Sequence, residues 1–173
     1  MKFSLLALSL LASLPAFAAK SEWKSVYTNT KTDCVVVSAS NDRAEIDFSE
    51  SECKSFGGYV LKVDGGDLRY GPSLSLNGDA LDVGRPFSFH DPKGDKIEWI
   101  YRKTTEADGS GSVEWKGLVY RLSVSNEDGQ SSHDELIAVR LAGKNTCSLG
   151  VVKTNEAARK LIQDARSACA SRE

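Results

Sequence analysis

The chain reads as a mainly β (α+β) domain: an antiparallel β-sandwich or partly closed barrel with one C-terminal amphipathic helix. Three observations predict this. After residue 22, short segments rich in β-branched and aromatic residues recur, separated by clusters of Gly, Asn, Asp or Pro. Several of them alternate apolar and polar residues with the period of a strand. Only the C-terminal stretch changes to a helical period.

The first element is a leader. In MKFSLLALSLLASLPAFAAK, one basic residue (Lys2), an apolar run Leu5–Leu14, the breaker Pro15 and small residues flanking Phe17 predict a secretory signal peptide over residues 1–18 with an A-x-A cleavage site. The plainer alternative is a buried N-terminal helix. The run is shorter than the roughly 20 residues a bilayer-spanning helix needs. No cysteine follows the cleavage point, so a lipid anchor is not expected. Residues 19–173 are then a single domain by length, expected in the periplasm with no stable membrane insertion.

The strands follow in order: Trp23–Thr28, Cys34–Ser38, Ala44–Phe48, Tyr59–Val63, Leu68–Leu76, Lys96–Arg102, Leu118–Ser125, Leu136–Leu141 and Cys147–Val152. In KIEWIYR, Ile97, Trp99 and Tyr101 share one face, and Lys96, Glu98, Ile100 and Arg102 the other. In GLVYRLSV, Leu118, Tyr120, Leu122 and Val124 oppose Val119, Arg121 and Ser123. Each reads as one inward face and one largely wet face. TTEADGSGS, 104–112, reads as a flexible loop, and the SNEDGQSSHDE region as a long polar hairpin turn.

The stretch GGYVLKVDGGDLRYG, 57–71, is read as a tight hairpin. Tyr59, Leu61 and Val63 alternate with Val60, Lys62 and Asp64, and Asp64-Gly65-Gly66-Asp67 supplies the positive-φ positions of the turn. A phosphate-cradling loop is disfavoured because a strand, not a helix, follows the glycines. The calcium loop pattern with its closing Glu is also missing. The last element is a helix over about 154–169 in TNEAARKLIQDARSACA. Thr154 is its N-cap and Glu156 lies in its first turn; Ala157, Ala158, Leu161, Ile162, Ala165 and Cys169 face inward, and Lys160, Gln163, Asp164 and Arg166 outward.

Four cysteines, Cys34, Cys53, Cys147 and Cys169, follow a signal to an oxidising compartment, so two disulfides are expected from three possible connectivities. Cys34 with Cys53 and Cys147 with Cys169 is preferred, because each pair closes a short local loop. Zinc is disfavoured without a C-x-x-C or His-x-His spacing, and no cofactor is expected. Without Lys2 the net charge is about −3. Lys and Arg are scattered, so neither nucleic acid nor an anionic membrane is an expected partner.

Candidate site residues are few. Asp67 and Arg69 share a strand face at the hairpin, either as a surface ion pair or with Arg69 presented to a carboxylate or phosphate. The two histidines lie in SFHD and SSHDE, and His90, Asp91, His133 and Asp134 would meet at a metal only if the two segments were neighbours. Neither a nucleophile elbow nor an oxyanion segment accompanies a serine.

The segments WKSVYT, CKSFGGYVLKVDGGDLRYG, IEW, LVYRLSV, TCSLGVV and NEAARKLIQDA, with Cys34 and the final cysteine, resemble a family of secreted Gram-negative, notably alphaproteobacterial, proteins whose function is open. The resemblance spans nearly all of the mature chain, departing at Lys93–Lys96 and in SNEDGQSSHDE. It implies a periplasmic setting and no catalytic residues. The expected function is a non-enzymatic envelope module binding an envelope protein or glycan, a lysozyme inhibitor being one concrete form. The alternative is a carboxylate-dependent hydrolase of cell-wall or small-molecule substrates using Asp67, Asp91 or Asp134. A purely structural envelope protein is the third.

Overall fold

A computed structural model of the chain describes residues 19–40, 48–84 and 90–170. The leader and residues 44–47 of one expected strand lie outside the described residues. Within them the fold is mainly β with one C-terminal helix. In chain order the strands are β1 Lys20–Asn29, β2 Cys34–Ala39, β3 Phe48–Cys53, β4 Tyr59–Gly66, β5 Arg69–Leu76, β6 Asp79–Leu81, β7 His90–Pro92, β8 Lys96–Thr105, β9 Gly111–Ser125, β10 Ser132–Arg140 and β11 Cys147–Val152, followed by α1 Asn155–Gln163.

β9 organises the sheet. One edge of it pairs with β8 over Gly111–Val119 and with β7 over Leu122–Val124, and the other edge pairs with β10 over Gly117–Ser125. β1 extends this half beyond β8, and β11 extends it beyond β10. The second half runs β5-β4-β3-β2, with β6 also on β5. β7 joins the halves through one parallel bridge, Arg69 to His90. The result is one open, mostly antiparallel sheet of eleven strands.

The halves fold onto a common core. Leu61 of β4 and Leu74 of β5 share a buried cluster with Ile97 and Trp99 of β8, Leu118 and Leu122 of β9, and Val139 of β10. Across the joint, the Tyr120 hydroxyl lies 2.8 Å from the Val83 carbonyl. A second cluster fills the opposite face of β8–β10, where Ile100, Val119, Leu136 and Ala138 meet Ala158 and Ile162 of α1. Gly117 lets the helix sit this close, since a Cβ there would come within 2.5 Å of Ile162. Ile97–Ile100 are therefore all buried, and so are Leu118–Tyr120. The faces expected to be wet are thus buried in part, at Glu98, Ile100 and Val119, while Lys96 and Arg102 remain exposed and Arg121 half-buried.

Three further expectations are corrected. The hairpin turn is Asp67-Leu68 (φ 50° and 62°), with Gly66 opposite Arg69, rather than Asp64–Asp67. Gly65 is engaged elsewhere: it lies opposite Tyr70, and a Cβ on it would fall 1.8 Å from that ring. The glycine gives the ring room to cross the neighbouring strand, and the turn moves on to the next two residues. The 104–112 segment is a short reversal, with β8 continuing to Thr105 and β9 beginning at Gly111. The helix ends at Gln163, not near 169. Thr154 caps its start by accepting from the Ala157 N–H at 3.1 Å. Its end is held by Arg140 of β10, which donates to the carbonyls of Asp164 (3.3 Å) and Ser167 (2.6 Å).

The disulfides are Cys34–Cys53, which join facing residues of β2 and β3, and Cys147–Cys169, which ties the tail after α1 to β11. Two disulfides suit an oxidising, extracytoplasmic location. Among the described residues no helix is long and apolar enough to cross a membrane. Replacing Cys147 and Cys169 together by serine should lower stability by about 3 kcal/mol for a loop of this length. Hydrogen exchange should then rise over Asp164–Ala170. An unchanged exchange profile there would show that the hydrogen bonds of Arg140 and of the Ala170 N–H to the Ser148 carbonyl hold the tail without the bridge.

Candidate functional site

The residues singled out in the sequence do not converge. Arg69 Nη1 lies 2.8 Å from Asp67 Oδ2 in an exposed pair at the hairpin turn. His90 is 2% exposed and sits in the core. His133 is exposed, with Nδ1 2.6 Å from Asn126 Oδ1 and Nε2 3.2 Å from Glu135 Oε1. His90 and His133 both face Val124, and Asp91 and Asp134 both face Ser123, but from opposite sides of β9. Two strand spacings, about 10 Å of backbone, separate the members of each pair. The two segments are thus close in register, yet β9 keeps them apart, and among the described residues no cluster fit to hold a metal forms.

The carboxylate that the structure buries among the described residues is Glu98, near the start of β8 and 2% exposed. It lies opposite Tyr27 of β1 and Val119 of β9, on the sheet face toward α1. Its Oε1 accepts from Ser25 Oγ at 2.5 Å and from Arg159 Nε at 2.7 Å. Arg159 Nη2 donates in turn to the Tyr27 hydroxyl at 3.3 Å. The hydrogen bond to Glu98 raises the pKa of the guanidinium above its ordinary value, although partial burial opposes it. The other oxygen, Oε2, is buried and accepts no hydrogen bond among the described residues. A buried carboxylate oxygen with no donor is destabilising unless something else supplies one.

Glu98 lines an open cleft of about 660 Å³ on the part of this sheet face beyond the helix. Tyr27, Lys96, Val119 and Arg121 line it from the strands, Lys93–Asp95 from the turn before β8, and Asn155 from the first turn of α1. Asp95 is engaged by Lys31 at 2.9 Å. Lys93 and Arg121 reach Asp134 only at 3.7 and 3.9 Å. Lys96 Nζ lies 5.8 Å from the centre of the Tyr27 ring. The rim therefore carries more accessible positive than negative charge, above a floor that needs a donor. A second cleft of about 500 Å³ opens by Trp23, Trp115 and Arg140. Some of its polar groups are engaged internally, Arg140 with the two tail carbonyls and Lys116 with Glu114.

Sequence reasoning passed over this site. Glu98 was assigned to a wet strand face, and Arg159 to neither face of the helix. The available signals were an acid inside the apolar run IEWI and an arginine between Ala158 and Ile162 on the packing side of the helix. In comparisons with known proteins, the chain matches no family model, no curated protein and no solved structure.

Proposed function

We propose that the protein is a non-enzymatic binding module of the periplasm, and that the Glu98 cleft is its ligand site. The observation that carries this reading is the open cleft itself, with Lys93, Lys96 and Arg121 on its rim and the buried Glu98 in its lining. An acid buried with one oxygen lacking a donor costs the fold stability, and the cleft beside it is of the kind that takes a small ligand. The leader, the two disulfides and the resemblance to secreted envelope proteins support the location. An envelope glycan or protein is the expected partner class, with lysozyme inhibition as one version.

The hydrolase reading has less support. Asp67 is paired with Arg69 at an exposed turn, and Asp91 and Asp134 stand on either side of β9. Saturation-transfer NMR of the mature protein with purified peptidoglycan fragments tests the two readings together. Saturable binding without turnover, lost in the Lys96→Glu/Arg121→Glu variant, is the expected result. Steady cleavage of the fragments that is abolished by Asp91→Asn or Asp134→Asn would replace the binding module with the enzyme. Absence of both binding and cleavage would remove the cleft as a glycan site.

A further inference from the structure

We infer that the cleft takes an acidic saccharide, its neutral hydroxyls lying over Glu98 and its carboxylate or phosphate held by Lys96, Lys93 and Arg121. This rests on the binding reading above and names its ligand class. The charge state of the floor sets the first half of the argument. Arg159 already balances the Glu98 carboxylate at 2.7 Å, so an ammonium placed over Glu98 would crowd a second cation against the guanidinium. A neutral sugar hydroxyl in that position adds no charge.

The rim sets the second half. Lys93, Lys96 and Arg121 line the opening. Asp134 is ion-paired with Lys93 at 3.7 Å and with Arg121 at 3.9 Å, beyond hydrogen-bonding distance from both. An anionic group on the ligand would find these donors available, and as an anion it would form the stronger, charge-assisted kind of hydrogen bond. The first turn of α1 ends at the same opening through Asn155, so its dipole adds to the attraction. The exposed Tyr27 ring offers an apolar wall beside Glu98. The volume suits a molecule of one or two sugar rings, within the usual range for small-ligand sites.

The test is an amide-correlation NMR titration of the disulfide-intact mature protein with four probes: D-glucuronate, glucose 6-phosphate, glucose and glucosamine. The expected result is saturable shifts at Lys96, Glu98, Arg121 and Tyr27 with the two acidic sugars, and at least tenfold weaker binding of glucose and glucosamine. Affinity for the acids should fall about tenfold in Arg121→Ala and in Lys96→Ala, and should also fall as salt is raised. These variants alter exposed positions, so their folding is checked by unchanged thermal melts. Equal or tighter binding of glucose or glucosamine at the same residues would overturn the acidic class and leave the binding module standing. Shifts confined to residues away from the cleft, or none with any probe, would overturn both.

Discussion

Trp99→Ala should lower the free energy of unfolding by about 4 kcal/mol, the largest effect expected of any single substitution in this chain. Trp99 is fully buried at the joint between the two halves of the sheet. Its ring meets Phe56 edge-on at 5.5 Å and Trp115 at 6.2 Å. Its indole N–H donates to Thr28 Oγ1 at 2.9 Å, and that hydroxyl donates to the Lys54 carbonyl at 2.7 Å. Alanine would open a cavity and leave a buried hydroxyl with one partner fewer. Trp99→Phe should recover part of the loss through packing, without the hydrogen bond. Urea denaturation followed by circular dichroism measures both variants. A loss under about 1 kcal/mol for alanine would mean that the halves are held mainly elsewhere.

The second large effect lies at Arg159. Arg159→Met keeps much of the side-chain volume but removes the counter-charge from a carboxylate that is 2% exposed, and should cost about 3 kcal/mol. That figure sits at the low end for a broken buried pair, because Arg159 itself remains partly exposed. Combining it with Glu98→Leu should return most of the stability, since a well-packed apolar pair escapes the desolvation that a lone charge suffers. A double-mutant cycle in urea decides the point. If the two substitutions simply added, the pair would be a surface contact and Glu98 would owe its burial to the strand alone.

Much of the fold was legible because strand and helix periods are local properties. Cys147–Val152 and the Thr154 cap stand where the pattern placed them. The preferred cysteine pairing also agrees with the structure, each bridge closing a short segment. Alternation in KIEWIYR assigns parity to each side chain, but it carries no information about what lies above the second face. Once α1 lands there, Glu98 changes from a wet acid to a buried one. The same limit hid the end of the helix, which depends on Arg140 from a distant strand. Gly65 misled for a related reason: a glycine that frees a turn and a glycine that makes room for the ring of Tyr70 look alike in one dimension.

Neither disulfide crosses between the two halves of the sheet. Cys34–Cys53 closes within the β2–β3 hairpin, and Cys147–Cys169 closes between β11 and the tail beyond the helix. A chain emerging N-terminus first can therefore oxidise its first bridge while later segments are still being delivered, and its second when the tail arrives. Each bridge therefore constrains only its own half, and the hold of one half on the other rests on the shared buried core.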